Sequence, residues 1–245
     1  ADPAAQRRLL ELQALDTRLD QLAHRRRTLP EIAELDALAA EHGRLRDTEV
    51  ATKTEVADLE EQQKRADADV DQVRQRKDRD QHRLDAGQVS AARELEQLQS
   101  EIASLTRRQA TLEDVELEIM EKLDDAQRRV GELAAQRESV GRNALAVQRA
   151  RDAAWAEIDE QVAQAQKQRD AMAVEIPEDF LSLYEKIRST SGGVGAAALR
   201  KRRCDGCHLE LDPAALNEIR SAAPDAVVRC EECRRILIRT DESGL

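Results

Sequence analysis

Four cysteines are the one set of residues in this chain whose type and spacing make a compact reactive group. They fall in two pairs, Cys204-Asp205-Gly206-Cys207 and Cys230-Glu231-Glu232-Cys233, with twenty-two residues between them. A two-residue gap lets both sulfurs of a tight turn face one ion, and two such turns complete a tetrahedron of thiolates. The expected occupant is one structural Zn2+ per chain, with iron in the same cage as the rival metal. The protein fills all four positions, which leaves none for the water that a catalytic zinc activates. Disulfides are the other chemistry open to paired cysteines. In a long chain expected to be cytoplasmic, metal ligation is the better reading. Gly206 is read as the residue that lets the first turn take a backbone conformation costly for others. His208 follows the first pair, as a neighbour of the ligands or a substitute that four cysteines make unnecessary.

The residues around the cysteines are basic. Arg200, Lys201, Arg202 and Arg203 precede the first pair, and Arg229, Arg234, Arg235 and Arg239 surround the second. Four thiolates on one zinc leave a charge of about −2, so these cations have a structural role open to them as counter-charge. The sharper reading is contact with phosphate or with an acidic protein surface. Residues 200–239 carry nine bases and seven acids, so the nucleic-acid signal is modest. Asp212-Pro213 reads as an N-cap followed by proline in the first helical turn, opening a short helix over residues 214–220. Residues 194–199, 227–228 and 236–238 read as strands. A unit this small has little core, so zinc supplies much of its folding energy.

The elements that must carry this unit are helical. Residues 38, 45, 52, 59, 66 and 73 repeat one seam position every seven residues, as do 98, 105, 112, 119, 126, 133, 140, 147 and 154. A companion row runs through 95, 102, 123, 130, 144, 158 and 165, and Gln109, Glu116, Arg137 and Arg151 interrupt it. Such seams must bury against another helix. The two segments, about 4–84 and 91–174, meet at Asp85-Ala86-Gly87-Gln88-Val89-Ser90, where Gly87 suits a C-cap and Ser90 the next N-cap. Nearly equal arms around a short turn favour an antiparallel hairpin over a parallel dimer of rods. In the first arm the heptad phase shifts near Pro30. Thr28 and Glu31 have capping-box spacing there, which predicts a kink or restart. His24, His42 and His82 are scattered along the coil without partners.

The expected fold is therefore mainly α: a long antiparallel coiled-coil hairpin followed by a small C-terminal four-cysteine zinc ribbon. The domains read as residues 1–175 for the hairpin, with its turn near 85–90, residues 176–193 for a short helix and flexible joint, and residues 194–245 for the ribbon. The helix is expected over 178–188, placing Phe180 and Tyr184 on one face. They are read as packing the stalk on the ribbon, with base stacking as the alternative.

Composition supports this division. Trp155, Tyr184 and Phe180 are the only aromatics, and charged residues make up 36% of the chain, too polar for a broad core but suited to a narrow seam. The net charge is −11, and residues 1–175 hold 38 acids against 28 bases. An acidic stalk repels nucleic acid and anionic membrane, so a nucleic-acid role needs a local patch. No uncharged run is long enough to cross a bilayer and no signal peptide is seen, which leads to the expectation of a cytoplasmic protein without a membrane role. No nucleophilic triad or phosphate loop is present, and the coil's carboxylates form no inferable pocket, so no enzymatic activity is expected.

The cysteine pairs and preceding hairpin together resemble the bacterial family of C4-type zinc ribbon proteins with an N-terminal coiled-coil hairpin. The likeness is carried near the tip by residues 92–102 and 112–121, on the approach by residues 184–188, and in the ribbon by Cys204, Gly206, Cys207, Cys230, Cys233, Arg235, Ile236 and Leu237. The chain departs from the family at Arg234 and Ile238, where glycine and tyrosine are common, and a basic residue common at the tip is present only as Arg93. The resemblance implies a non-enzymatic protein. One member from a flagellated bacterium is described as a chaperone-like partner of an alternative sigma factor and of flagellin messenger RNA. By that likeness the chain is expected to be a regulatory adaptor that contacts a protein or nucleic acid, as monomer or homodimer. A purely structural spacer is the remaining alternative.

Overall fold

The computed structural model describes residues 1–245, which divide into two compact units: residues 1–33 with 148–245, and residues 34–147. The helices are α1 (Pro3–Arg27), α2 (Pro30–Asp85), α3 (Ala92–Ala173), α4 (Glu178–Thr190) and α5 (Pro213–Ser221). The strands are β1 (Ala196–Arg200), β2 (Arg203–Cys204), β3 (Val228–Arg229) and β4 (Ile236–Arg239). No helix is long and apolar enough to cross a membrane.

The unit formed by residues 34–147 is a helical hairpin. Its cross-helix pairs reveal the direction of the arms: Arg76–Glu101, Arg74–Glu113, Glu55–Arg129 and Glu49–Arg137. As one partner's number falls, the other's rises, which is antiparallel pairing. Leu59, Val70, Val73, Leu98, Leu105 and Ala126 are buried along the seam. Many other seam positions are only half-buried, because one partner helix covers one side alone. Polar residues in the seam find partners: Glu49 accepts from Lys53 at 2.7 Å and pairs with Arg137 at 3.0 Å, while Gln109 accepts from Lys77 at 2.6 Å.

Two helix ends differ from the sequence expectation. Gly87 does sit at φ +61, with its N–H donating to Leu84 O. Ser90, however, is not the N-cap of α3. That helix opens one residue later, with Leu95 N–H donating to Ala91 O. The arm does break near Pro30, but not through a capping box. The Thr28 hydroxyl donates back to His24 O at 3.0 Å, so Thr28 closes α1 instead of opening α2. Leu29 is buried beside Leu22 and Ile158. Trp155 packs on this cluster, its indole N–H donating to Arg26 O at 3.1 Å.

In the other unit the four strands form one sheet in the order β2-β1-β4-β3, with β1 and β4 parallel and the outer pairs antiparallel. Side chains alternate across a strand, so the sheet has two faces. Ala196, Ile236 and Ile238 point to a core with Leu9 and Leu12 of α1 and Phe180, Tyr184 and Ile187 of α4. Ala197, Leu199 and Leu237 point to a second core with Leu216 and Ile219 of α5 and the cysteines.

Candidate metal centre and its surroundings

Each cysteine pair sits on a turn that follows a short strand. Cys204 ends β2, and Cys230 follows β3 directly. The two turns close alike. His208 N–H donates to Cys204 O at 2.7 Å, and Arg234 N–H donates to Cys230 O at 2.9 Å. Both closing residues are left-handed, at φ +63 and +62. Gly206 is not, so its role is space rather than backbone freedom. A Cβ there would lie 2.8 Å from Arg235 Cδ and 3.0 Å from the Ala197 Cβ.

The four Sγ atoms lie within 4.8 Å of one another, with Cys204–Cys233 and Cys207–Cys230 each at 3.8 Å. A tetrahedron with zinc–sulfur bonds of about 2.3 Å has edges of about 3.8 Å, the length of these two sulfur pairs, so the cluster has the size that zinc takes. Cys204 and Cys230 are fully buried, and Cys207 and Cys233 half-buried. Burial pushes the Cys204 thiol far up. Burial also opposes ionisation of Cys233, yet contacts from the backbone and side chain of Arg235 bring that thiol down to about 7. A dication that binds thiolates removes the cost of the buried sulfurs. The chain therefore holds one closed, structural four-cysteine zinc site, and His208 is exposed beside it, not among its ligands.

The eight basic residues around the site separate by what their donors do. Arg235 gives Nε to Val194 O at 2.9 Å, Nη1 to Gly206 O at 3.1 Å and Nη2 to Ser191 O at 2.8 Å. Arg239 closes the end of α5, donating to Ile219, Ala222, Ala223 and Pro224 carbonyls. These two hold the ribbon together and have little left for a partner. Arg200 pairs with Asp205 at 3.3 Å and Glu242 at 3.1 Å, and Arg203 donates to His208 O at 2.9 Å. Lys201, Arg202, Arg229 and Arg234 are exposed. Lys201 and Arg202 form the two-residue loop between β1 and β2, at φ +47 and +65.

Phe180 and Tyr184 are 3% and 0% exposed, so neither ring has a face free for a base. The segment read as a flexible joint is tied down instead. Ser189 and Thr190 are the last residues of α4, Ser191 O accepts from Arg235, and Gly193 O accepts from Gln13 at 3.0 Å. Gln13 and Asp16, which the sequence reading passed over, are central here. Gln13 Oε1 accepts from Gly195 N–H at 2.7 Å and Ala196 N–H at 3.3 Å. Tyr184 donates its hydroxyl to Asp16 at 2.7 Å, and Arg169 Nε donates to the same carboxylate at 3.1 Å. Polar residues amid the Leu9, Leu12, Leu15 and Leu19 pattern were the available signal.

Residues 12–192 match the CT398-like coiled coil hairpin domain, and residues 203–237 match the C4-type zinc ribbon domain. An uncharacterized protein of Mycobacterium tuberculosis is 39% identical over 241 residues, covering 98% of each chain. A solved structure from Mycobacterium smegmatis superposes with a TM-score of 0.82 at 36% identity, over 98% of this chain and 99% of that one. The structure of CT398 from Chlamydia trachomatis gives a TM-score of 0.72 at 22% identity over 97% and 98%, a likeness of fold.

Proposed function

The chain belongs to the family of CT398-like coiled coil hairpin proteins, and from that premise we propose that it is a non-enzymatic adaptor whose zinc ribbon contacts an acidic protein surface. One observation carries this reading. The four non-glycine residues with left-handed backbones are Lys201, Arg202, His208 and Arg234, all exposed and all on the ribbon. Such a conformation costs a residue with a side chain about 1 kcal/mol or more, and a two-residue hairpin loop of this kind is best served by Asn-Gly. Three of the four, Lys201, Arg202 and Arg234, are lysine or arginine, and cationic side chains at strained positions are what a contact surface selected for charge requires. Zinc is the structural core of this surface, not a reagent.

A second reading, contact with nucleic-acid phosphates, draws on the same cations. With no aromatic face available, that binding is weak, salt-sensitive and indifferent to sequence. One double variant tests both. Lys201→Asn with Arg202→Gly relieves the strain, so the ribbon gains stability while the contact is lost. Proteins captured from lysate by the wild type but not by this variant, with capture surviving nuclease, support the adaptor. RNA or DNA binding at low salt that the variant loses supports the second reading. Equal capture and equal nucleic-acid binding by the two proteins rules out the loop as a contact surface and leaves the spacer.

A further inference from the structure

Where α1 docks on the ribbon there is a pocket of about 300 Å³, walled by the first turns of α1, the end of α5, the loop after it and the end of β4. It shares no residue with the Lys201–Arg202 loop or with Arg234. Its charged residues are Arg7, Arg220 and Arg239, and no acid lines it. None of the three forms an ion pair within the chain, whereas Arg8, beside Arg7, pairs with Glu175. The acids nearest in sequence are otherwise placed. Asp2 caps α1, accepting from Ala5 N–H at 2.8 Å, and Glu11, one turn on from Arg7, lines the neighbouring groove that Arg7 also borders. Glu218 and Asp225 are exposed and outside the walls. In a chain of net charge −11, the pocket is thus a local positive charge left unbalanced.

The pocket is held in shape before any ligand arrives. Pro224 O accepts from Gln6 Nε2 at 3.1 Å and from Arg239 Nη2 at 3.0 Å, so α1, the loop and β4 meet at one carbonyl. Arg239 Nη1 donates to Ile219 O and Ala222 O as well. Carbonyls are neutral dipoles. They orient this half-buried guanidinium and leave its charge in place. Arg7 and Arg220 are exposed, and neither spends its side-chain donors on the protein. A free arginine fork matches two oxygens of a phosphate.

We propose that this pocket binds a phosphate dianion, free or as the monoester of a small molecule, gripped by Arg7 and Arg220 with Arg239 as fixed counter-charge. A phosphomonoester carries about −1.5 to −2 at neutral pH, which balances most of three cations, whereas a nucleic-acid phosphodiester brings a single charge. A volume of about 300 Å³ is at the small end of ligand pockets, so any organic part is compact. Arg7 belongs to α1 and the other two arginines to the ribbon, so the bound anion ties the two together and stabilises their docking.

Calorimetric titration of the zinc-loaded full chain with inorganic phosphate and with glycerol 3-phosphate, at constant ionic strength, tests this. A Kd on the order of 1 mM or tighter is expected for at least one of them. Arg7→Gln with Arg220→Gln weakens it by at least about tenfold. Arg18→Gln with Arg25→Gln removes the same charge from exposed positions of α1 outside the pocket and leaves binding unchanged. Helicity and zinc content of each variant show that the fold is kept. Saturating ligand raises the Tm of the wild type more than that of Arg7→Gln with Arg220→Gln, a difference that cancels the general stabilisation by phosphate as a salt. Equal affinity for the two ligands identifies free phosphate as sufficient, and tighter binding of the ester identifies a phosphorylated small molecule; both support the site. No binding of either by about 10 mM, equal binding by wild type and Arg7→Gln with Arg220→Gln, or binding of an oligonucleotide alone overturns the proposal.

Discussion

At the scale of the residue, the zinc ligands and the buried polar network bear different kinds of load. The four cysteines have no alternative partners, so Cys204→Ser removes the metal and with it the ribbon's second core, while the hairpin of residues 34–147 keeps its helices. Zinc per chain falls from one to none by elemental analysis, with far-ultraviolet helicity largely retained. Tyr184→Phe tests the network. Its hydroxyl is buried and donates to Asp16 at 2.7 Å. Deleting it leaves a buried carboxylate short of a donor, at a cost of about 1–3 kcal/mol, read as a shift of the denaturation midpoint without loss of zinc. The cysteine spacing made the metal centre legible because two short turns have few other uses. The network was not legible, since a Gln and an Asp inside a leucine heptad look like ordinary interruptions until the helix has something besides another helix to pack on.

At the scale of the element, heptad period was enough to place both long helices and the turn between them, because seam burial is a local pattern repeated many times. Helix ends were less legible. Thr28 and Ser90 are good capping types, but capping depends on which neighbouring carbonyl or N–H is free. Thr28 finds His24 O first. The hairpin's charges make its stability depend on pH in two opposed ways. A hydrogen bond from Lys53, opposed by desolvation and aided by Arg137, holds the Glu49 carboxyl below its usual range. Its contribution is complete above the ordinary glutamate pKa and is lost as pH falls through the lowered value. A hydrogen bond with Asp67 raises Glu116. That contribution is present in acid and disappears as pH rises through the raised value. Glu116→Gln should therefore remove the loss on raising pH, and Glu49→Gln the loss on lowering it. Thermal melting of the two variants against the wild type between acid and neutral pH checks both signs.

At the scale of the whole molecule, the first helix and the last domain, distant in sequence, form one unit. The sequence reading gave α1 to the coil and the ribbon to itself, because heptads describe what a helix buries but not against what. In the structure Leu9 and Leu12 are 0% exposed in a core shared with Ile236 and Ile238 of β4, and Gln13 holds the backbone N–H groups that lead into β1. Gln6 adds a bond to Pro224 O at 3.1 Å beyond the end of α5. The far face of that same sheet packs on the zinc site through Ala197, Leu199 and Leu237. Metal binding and docking of α1 are therefore linked: each stabilises the folded sheet that the other requires. Removing residues 1–27 exposes one face of the sheet and deletes two fully buried leucines, each worth about 1.5–3 kcal/mol. A loss of about 3 kcal/mol corresponds to roughly a hundredfold weaker zinc retention, measured by competition with a chromogenic chelator. Leu9→Ala with Leu12→Ala in the full chain should move retention in the same direction, without the loss of helix that truncation brings. Truncated and full-length chains that surrender zinc at the same chelator concentration would mean that the ribbon folds without α1, and that the shared core adds position but no stability to the metal site.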